Sequence, residues 1–267
     1  MTACWACVEP VSRVDHPGPE RVGASIVNSV KCPDSLSDFN IGARPESSAV
    51  RRIKPSIPTR RIFVFILHLT IRPMTAETKR EILHIQDNAA LIVVDVQEGF
   101  DDPTFMGKRN NPQADQNIEA IIKAWEKSKR PIVVVQHNSV SSGSVLHPSK
   151  SGNSLKPYVK AIKPSLAVTK SVNSAFYGAP DLDQWLKSSD IHQLVIIGIQ
   201  TNMCCETTAR MAGNLGYDVI FVPDAMHTFD AVGPDGVVVT ADEITRATVA
   251  SLFDGGFAKI ASTADLL

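Results

Sequence analysis

Six apolar residues in a row, Ala89-Ala90-Leu91-Ile92-Val93-Val94, end abruptly at Asp95. A strand with one wet face alternates polar and apolar residues, so an unbroken run of this length suits a strand covered on both faces, as in a parallel sheet layered by helices. The pattern returns in Pro131-Ile132-Val133-Val134-Val135, in Leu194-Val195-Ile196-Ile197-Gly198 and in Val219-Ile220-Phe221-Val222. Shorter strands are predicted at 166–169 and 258–261. Helical stretches fall between them at 114–129, 182–187, 204–215 and 241–253, with Gly216 placed to cap the third. Repeated βα units of this kind predict an α/β fold, a three-layer αβα (Rossmann-like) arrangement with a mainly parallel sheet of about six strands. In such sheets ligands bind beyond the carboxyl ends of the strands.

The first 73 residues read differently. They hold eight of the seventeen prolines and ten Lys+Arg against six Asp+Glu, whereas residues 74–267 hold seventeen against twenty-two. No period of 2 or 3.6 is sustained there, so residues 1–73 are expected to form a disordered N-terminal extension and residues 74–267 the folded domain. A targeting peptide, a flexible extension and an upstream stretch outside the true reading frame, with Met74 as the start, all remain open. Glu9, Asp15, Glu20, Asp34, Asp38 and Glu46 sit poorly with an organellar presequence. Cys4-Trp5-Ala6-Cys7 has half-site spacing but no second ligand pair, and no chemistry is attached to it.

A net charge of −1 and the lack of a sustained basic run exclude nucleic-acid binding as the main activity. The longest apolar candidate in the leader, Ile62 to Leu67, is far short of the roughly 18 residues of a membrane helix. Five cysteines without an even, dispersed framework point to a reducing, cytoplasmic setting, with organellar targeting by the extension still open.

Three polar residues fall at predicted carboxyl ends of strands: Asp95, Lys170 and, in the turn Thr201-Asn202-Met203-Cys204, a thiol that is expected to open a helix. A thiol there meets unpaired N–H groups and the positive end of the helix dipole, which favours thiolate and lowers the pKa from its usual value of about 8.5. Taken singly, each residue has a blander reading, as a solvated strand end or a small buried hydrophobe.

The segment Gly198-Ile199-Gln200-Thr201-Asn202-Met203-Cys204-Cys205-Glu206-Thr207-Thr208-Ala209-Arg210 resembles the nucleophile motif of the isochorismatase-like cysteine hydrolases (the nicotinamidase and isochorismatase superfamily). Val93-Val94-Asp95-Val96-Gln97-Glu98-Gly99-Phe100 is similar to that family's first-strand motif, and Lys170-Ser171-Val172-Asn173-Ser174-Ala175-Phe176 to its lysine motif, in the same order. The resemblance covers Ala89 to Leu267. It implies Asp95 as general base, Lys170 as activating cation and Cys204 as nucleophile, with Cys205 where the family usually has valine. It also implies a cis peptide at Ile199-Gln200, an oxyanion hole from the N–H groups of Gln200 and Cys204, and a pocket aromatic at Phe100. The expected reaction is cleavage of the C–N bond of a small amide or ureido-type substrate through a thioester.

The same comparison bears on metals. Nicotinamidases hold a metal through an Asp-x-His pair after the second strand, where this chain reads Gln136-His137-Asn138-Ser139, so no metal and no cofactor are expected. Asn138 is taken as substrate-binding, while His137 and His147 are read as structural and Phe176 and Tyr177 as core. The expected partner is a small-molecule substrate, with no nucleic acid or membrane, and the resemblance implies a homo-oligomer. Two alternatives stand: an isochorismatase-type vinyl-ether hydrolase, which needs no cysteine, and a non-catalytic binding or redox-sensing protein using Cys204-Cys205.

Overall fold

A computed structural model describes residues 83–267 apart from 103, 105 and 106. The extension 1–73, Met74, the Cys4 and Cys7 pair and the run Ile62 to Leu67 lie outside the described residues.

The apolar runs form strands β1 (Ala90–Val94), β2 (Ile132–His137), β3 (Leu166–Lys170), β4 (Gln193–Ile199) and β5 (Asp218–His227). Helices α1 (Ala114–Ser128), α2 (Leu182–Ser188), α3 (Glu206–Asn214) and α4 (Ala241–Asp254) connect them, with a short hairpin β6 (Ala231–Val232) and β7 (Val238–Val239) and a last strand β8 (Lys259–Ile260). The main sheet is six-stranded and parallel in the order β3-β2-β1-β4-β5-β8.

Alternation along β1 shows why its sequence is continuously apolar. Ala90, Ile92 and Val94 face one core with Leu182 and Leu186 of α2, Ala209 and Ala212 of α3 and Leu252 of α4. Leu91 and Val93 face another with Ile118, Ile121 and Trp125 of α1. Both faces are dry, so neither set of positions admits a polar residue. Trp125 Nε1 donates to the Ala89 carbonyl at 3.0 Å, which fixes α1 over the start of β1. At α4, Thr240 accepts from the Glu243 N–H and Glu243 accepts from the Thr240 N–H at 2.9 Å, a capping box that sets the helix start.

One sequence expectation needs correction, and one element was unforeseen. The predicted helix 204–215 is a π-helical turn, Thr201–Cys205, followed by α3 from Glu206, so Cys204 sits before the α-helix rather than opening it. Gln200 accepts from both Met203 N–H and Cys205 N–H, at 3.2 Å each, which widens the turn. The β6 and β7 hairpin was not foreseen: Val232, Val237, Val238 and Val239 are exposed, so their pattern reports no core.

The chain order places β2 and β3 on one side of β1 and β4, β5 and β8 on the other. The switch point therefore lies between β1 and β4, where parallel α/β sheets open a crevice at their carboxyl ends. Here the strands approach closely. Gly198 pairs with Val94 at φ +133°, and a Cβ at Gly198 would run into the Val94 carbonyl. Gly198→Ala is expected to destabilise the fold by several kcal/mol, on the order of 3–5, read from urea unfolding; a loss below about 1 kcal/mol would refute the close approach.

His227, next to Ile199 across β4 and β5, is fully buried with neither ring nitrogen hydrogen-bonded among the described residues. Burial holds its pKa down to about 3, with Arg109 and Lys156 adding to the effect and Asp115 opposing it. An unfolded histidine titrates near 6.5, so the fold binds this proton less tightly than the unfolded chain does. Stability from the neutral ring is complete above about pH 6.5 and is lost at about 1.4 kcal/mol per unit as pH falls towards 3. In denaturant titrations between pH 6 and 4, His227→Leu should lose stability less steeply than wild type; equal slopes would rule out this coupling.

Candidate active site

The site assembles at the switch point from the ends of three strands. Asp95 follows β1 in a left-handed backbone conformation, φ +51°, which asparagine and aspartate tolerate better than other side chains. Its N–H is fixed by the Val135 carbonyl at 2.9 Å. Lys170 ends β3, two strands away, and reaches across β2 to place Nζ 2.5 Å from Asp95 Oδ2. Neither side chain has any accessible surface. Cys204, in the π-helical turn after β4, is buried with Sγ 3.8 Å from Asn173 Oδ1. The Ile199-Gln200 peptide before that turn is cis.

His137 is the fourth polar group. It ends β2 in register with Lys170, is 5% exposed, and its Nδ1 lies 3.3 Å from Lys170 Nζ. A carboxylate oxygen of Asp95, a ring nitrogen of His137 and Sγ of Cys204 lie within 4.8 Å of one another. These are donors a soft divalent metal favours. The position among them is already held by a protein cation, because Lys170 Nζ is bonded to Asp95 and His137. The cluster fits an ammonium rather than a metal ion.

The electrostatics follow from burial. Burial alone would discharge Lys170, but Asp95, together with Cys204, outweighs it and lifts its pKa above the usual lysine value. Burial and the Lys170 charge push His137 down, with Asp95 opposing, so the ring is neutral near pH 7. Burial also pushes the Cys204 thiol well above the usual range, Asp95 reinforces this, and Lys170 pulls the other way. The expected lowering of the Cys204 pKa by a helix N-terminus is thus overturned: the sulfur is dry, it faces a carboxylate, and it does not open the α-helix. Cys205 is fully buried in the α2 and α3 core, and burial pushes its thiol well above the usual range. It packs, and it is no exposed redox partner.

The remaining expected site residues are placed as follows. The Gln200 carbonyl braces the π-helical turn, and Cys204 lies within it. Phe100, 3% exposed, stacks on Phe229 with ring centroids 6.5 Å apart, in the α1-side core. Asn138 donates its N–H to the Lys170 carbonyl at 2.7 Å, and its Oδ1 accepts from Asn153 Nδ2 at 3.0 Å. His147 bonds Ser149 at 2.8 Å, away from these groups. Phe176 packs on Tyr217, while Tyr177 is exposed.

Sequence reasoning left His137, Asn173 and a buried amide pair without a role. Gln97 takes the His137 N–H at 2.9 Å and donates to the His137 carbonyl at 3.0 Å and the Asn153 carbonyl at 2.7 Å. Asn153 Nδ2 adds bonds to the carbonyls of His137 and Leu146. The strand-end His137 was a signal, but that Gln97 and Asn153 meet is a matter of loop packing, the loop after β1 lying on the 3-10 turn Ser151–Asn153. An open groove beside them is lined by Glu98, Asp102, Lys150 and Ser151 and does not include Asp95, Lys170 or Cys204. Carboxylate, ammonium, imidazole and thiol coincide in the buried cluster instead.

Comparison with known proteins agrees with this arrangement. Residues 89–252 match the isochorismatase domain. The isochorismatase family protein YrdC of Bacillus subtilis (strain 168) is 37% identical over 183 residues, 68% of this chain and 96% of that protein. Streptothricin hydrolase of Streptomyces noursei is 29% identical, covering 79% of this chain and 80% of the other. The crystal structure of an isochorismatase-family protein from Chromobacterium violaceum superposes with a TM-score of 0.65 at 33% identity, covering 70% of this chain and 95% of that one. With that match, the shared sheet and the site at its switch point, this chain belongs to the isochorismatase family.

Proposed function

We propose that the protein is a cysteine-dependent hydrolase that cleaves the C–N bond of a small amide or ureido-type substrate through a thioester on Cys204. The observation that carries the reading is the juxtaposition of a thiol with a buried carboxylate whose Oδ1 has no hydrogen-bond partner among the described residues. A family relative named streptothricin hydrolase supports amide-bearing substrates.

Because burial holds the thiol protonated, deprotonation is coupled to attack. Asp95 takes the S–H proton as sulfur bonds to the carbonyl carbon, and the oxyanion is received by the N–H groups of Gln200 and Cys204. The C–N bond breaks as Asp95 returns that proton to the departing nitrogen. Water then adds to the thioester, giving its proton to Asp95, which passes it to the departing sulfur; acid and amine are the products. Lys170 remains protonated throughout and balances first the carboxylate and then the thiolate. Phe100 and Asn138 are proposed to border the substrate. A vinyl-ether hydrolase would leave Cys204 without a task, and this favours the amide reading.

Two outcomes test it. Screened against small amides and ureido acids, wild type should turn over at least one, and Cys204→Ala should lose activity by at least about 10⁴-fold with an unchanged melting temperature; residual turnover within about tenfold would exclude the thioester. The pH dependence of Cys204 alkylation by iodoacetamide, mapped by mass spectrometry, should have a midpoint above about 8.5. Asp95→Asn removes the anion that raises the thiol, so it should lower that midpoint while abolishing turnover, whereas Lys170→Ala should raise it. Midpoints moving in the opposite directions would overturn the assigned roles.

A further inference from the structure

An ammonium has three N–H donors and no acceptor, and a buried one needs all three satisfied. The Lys170 side chain has no accessible surface, so water cannot supply them. One donor goes to Asp95 Oδ2 at 2.5 Å and one to His137 Nδ1 at 3.3 Å, while Cys204 Sγ, within 4.8 Å of a carboxylate oxygen of the one and a ring nitrogen of the other, is the third polar group beside the ammonium. We infer that His137 is a positioning residue of the hydrolytic centre, a neutral acceptor that completes this tripod and keeps the Lys170 ammonium shared between the base Asp95 and the nucleophile Cys204. The inference rests on the roles proposed above for those three residues.

The geometry explains why a histidine can do this. His137 and Lys170 are register partners on β2 and β3, so both side chains project from the same row of the sheet. The His137 backbone is clamped on both sides, its N–H by Gln97 and its carbonyl by Gln97 and Asn153. Accepting at Nδ1 requires the ring proton to sit on Nε2. The charged and titratable groups facing the ring are Lys170, Asp95 and Cys204, and burial together with Lys170 opposes a second ring proton. An imidazolium would turn a donor towards an ammonium, so only the neutral ring fits.

Without this acceptor, the ammonium is left between one anionic partner, the Asp95 carboxylate, and the neutral Cys204 thiol. It is then free to move towards the carboxylate, leaving the sulfur to deprotonate next to Asp95 with less compensation. The consequence should appear at Cys204, which His137 influences through Lys170. That separates a positioning role from simple packing.

The test uses the full chain as wild type, His137→Leu and His137→Asn, the last placing an amide oxygen near the position of Nδ1. Iodoacetamide alkylation of Cys204 should slow about tenfold at pH 8 in His137→Leu, equivalent to a midpoint raised by about one unit, and should stay within about threefold of wild type in His137→Asn. In wild type labelled with ¹⁵N-histidine, the His137 ring should be the Nε2–H tautomer with Nδ1 unprotonated at pH 7. Alkylation of His137→Leu at the wild-type rate would overturn the proposal, as would an equal slowing in both variants or an Nδ1–H tautomer. Should His137→Leu fail to fold, the asparagine variant and the tautomer decide it. If wild-type Cys204 ignores Lys170→Ala, the hydrolase roles fail, and the histidine proposal falls with them; if only the histidine variants behave as wild type, the hydrolase reading stands without it.

Discussion

The contact between Lys170 and Asp95 is the constraint around which the centre is arranged. Two opposite charges with no accessible surface are retained only if their mutual attraction and their hydrogen bonds offset the loss of water. Because β2 lies between the strands that carry them, the pair also registers three strands against one another. Breaking a buried pair by removing one partner typically costs about 3–5 kcal/mol, so stability and chemistry are coupled at these two positions.

That coupling changes how the thiol is understood. A dry sulfur beside a carboxylate is a poor spontaneous acid, and burial outweighs the help Lys170 gives. In the proposed reaction, reactivity belongs to the moment when a carbonyl carbon is presented, since proton loss and bond formation occur together there. An idle centre of this type is protected from oxidants and adventitious electrophiles by the same burial that makes it depend on its substrate.

Much of the fold was legible because apolar continuity is a direct consequence of two-sided burial. The runs at Ala89, Ile132, Leu194 and Val219 became neighbouring strands, and Asp95 and Lys170 fell at strand ends as their positions after those runs implied. The π-helical turn was not legible, since Thr201-Asn202-Met203-Cys204-Cys205 carries no local pattern that separates it from an α-helical first turn. Nor was the direction of the Cys204 shift, which depends on desolvation and on a carboxylate 109 positions earlier. His137 was visible as a strand-end histidine, but its partner across β2 and β3 is a fact of register. The exposed valines of β6 and β7 carry a strand-like composition without the burial that usually gives it meaning.

The tight approach of Gly198 to Val94 has a consequence for how this centre could be altered. The two backbones that carry Asp95 and the turn of Cys204 meet with no room for a side chain between them. Their spacing is therefore a property of main chain against main chain, beyond the reach of conservative side-chain exchange. The loops after β1 and β2 meet where the Gln97 side-chain amide donates to the Asn153 carbonyl, a contact that side-chain substitution can change. A library that varies those loops can change what is admitted to the sulfur while the distance from sulfur to carboxylate stays fixed, so selectivity and reactivity can be tuned on separate parts of the chain.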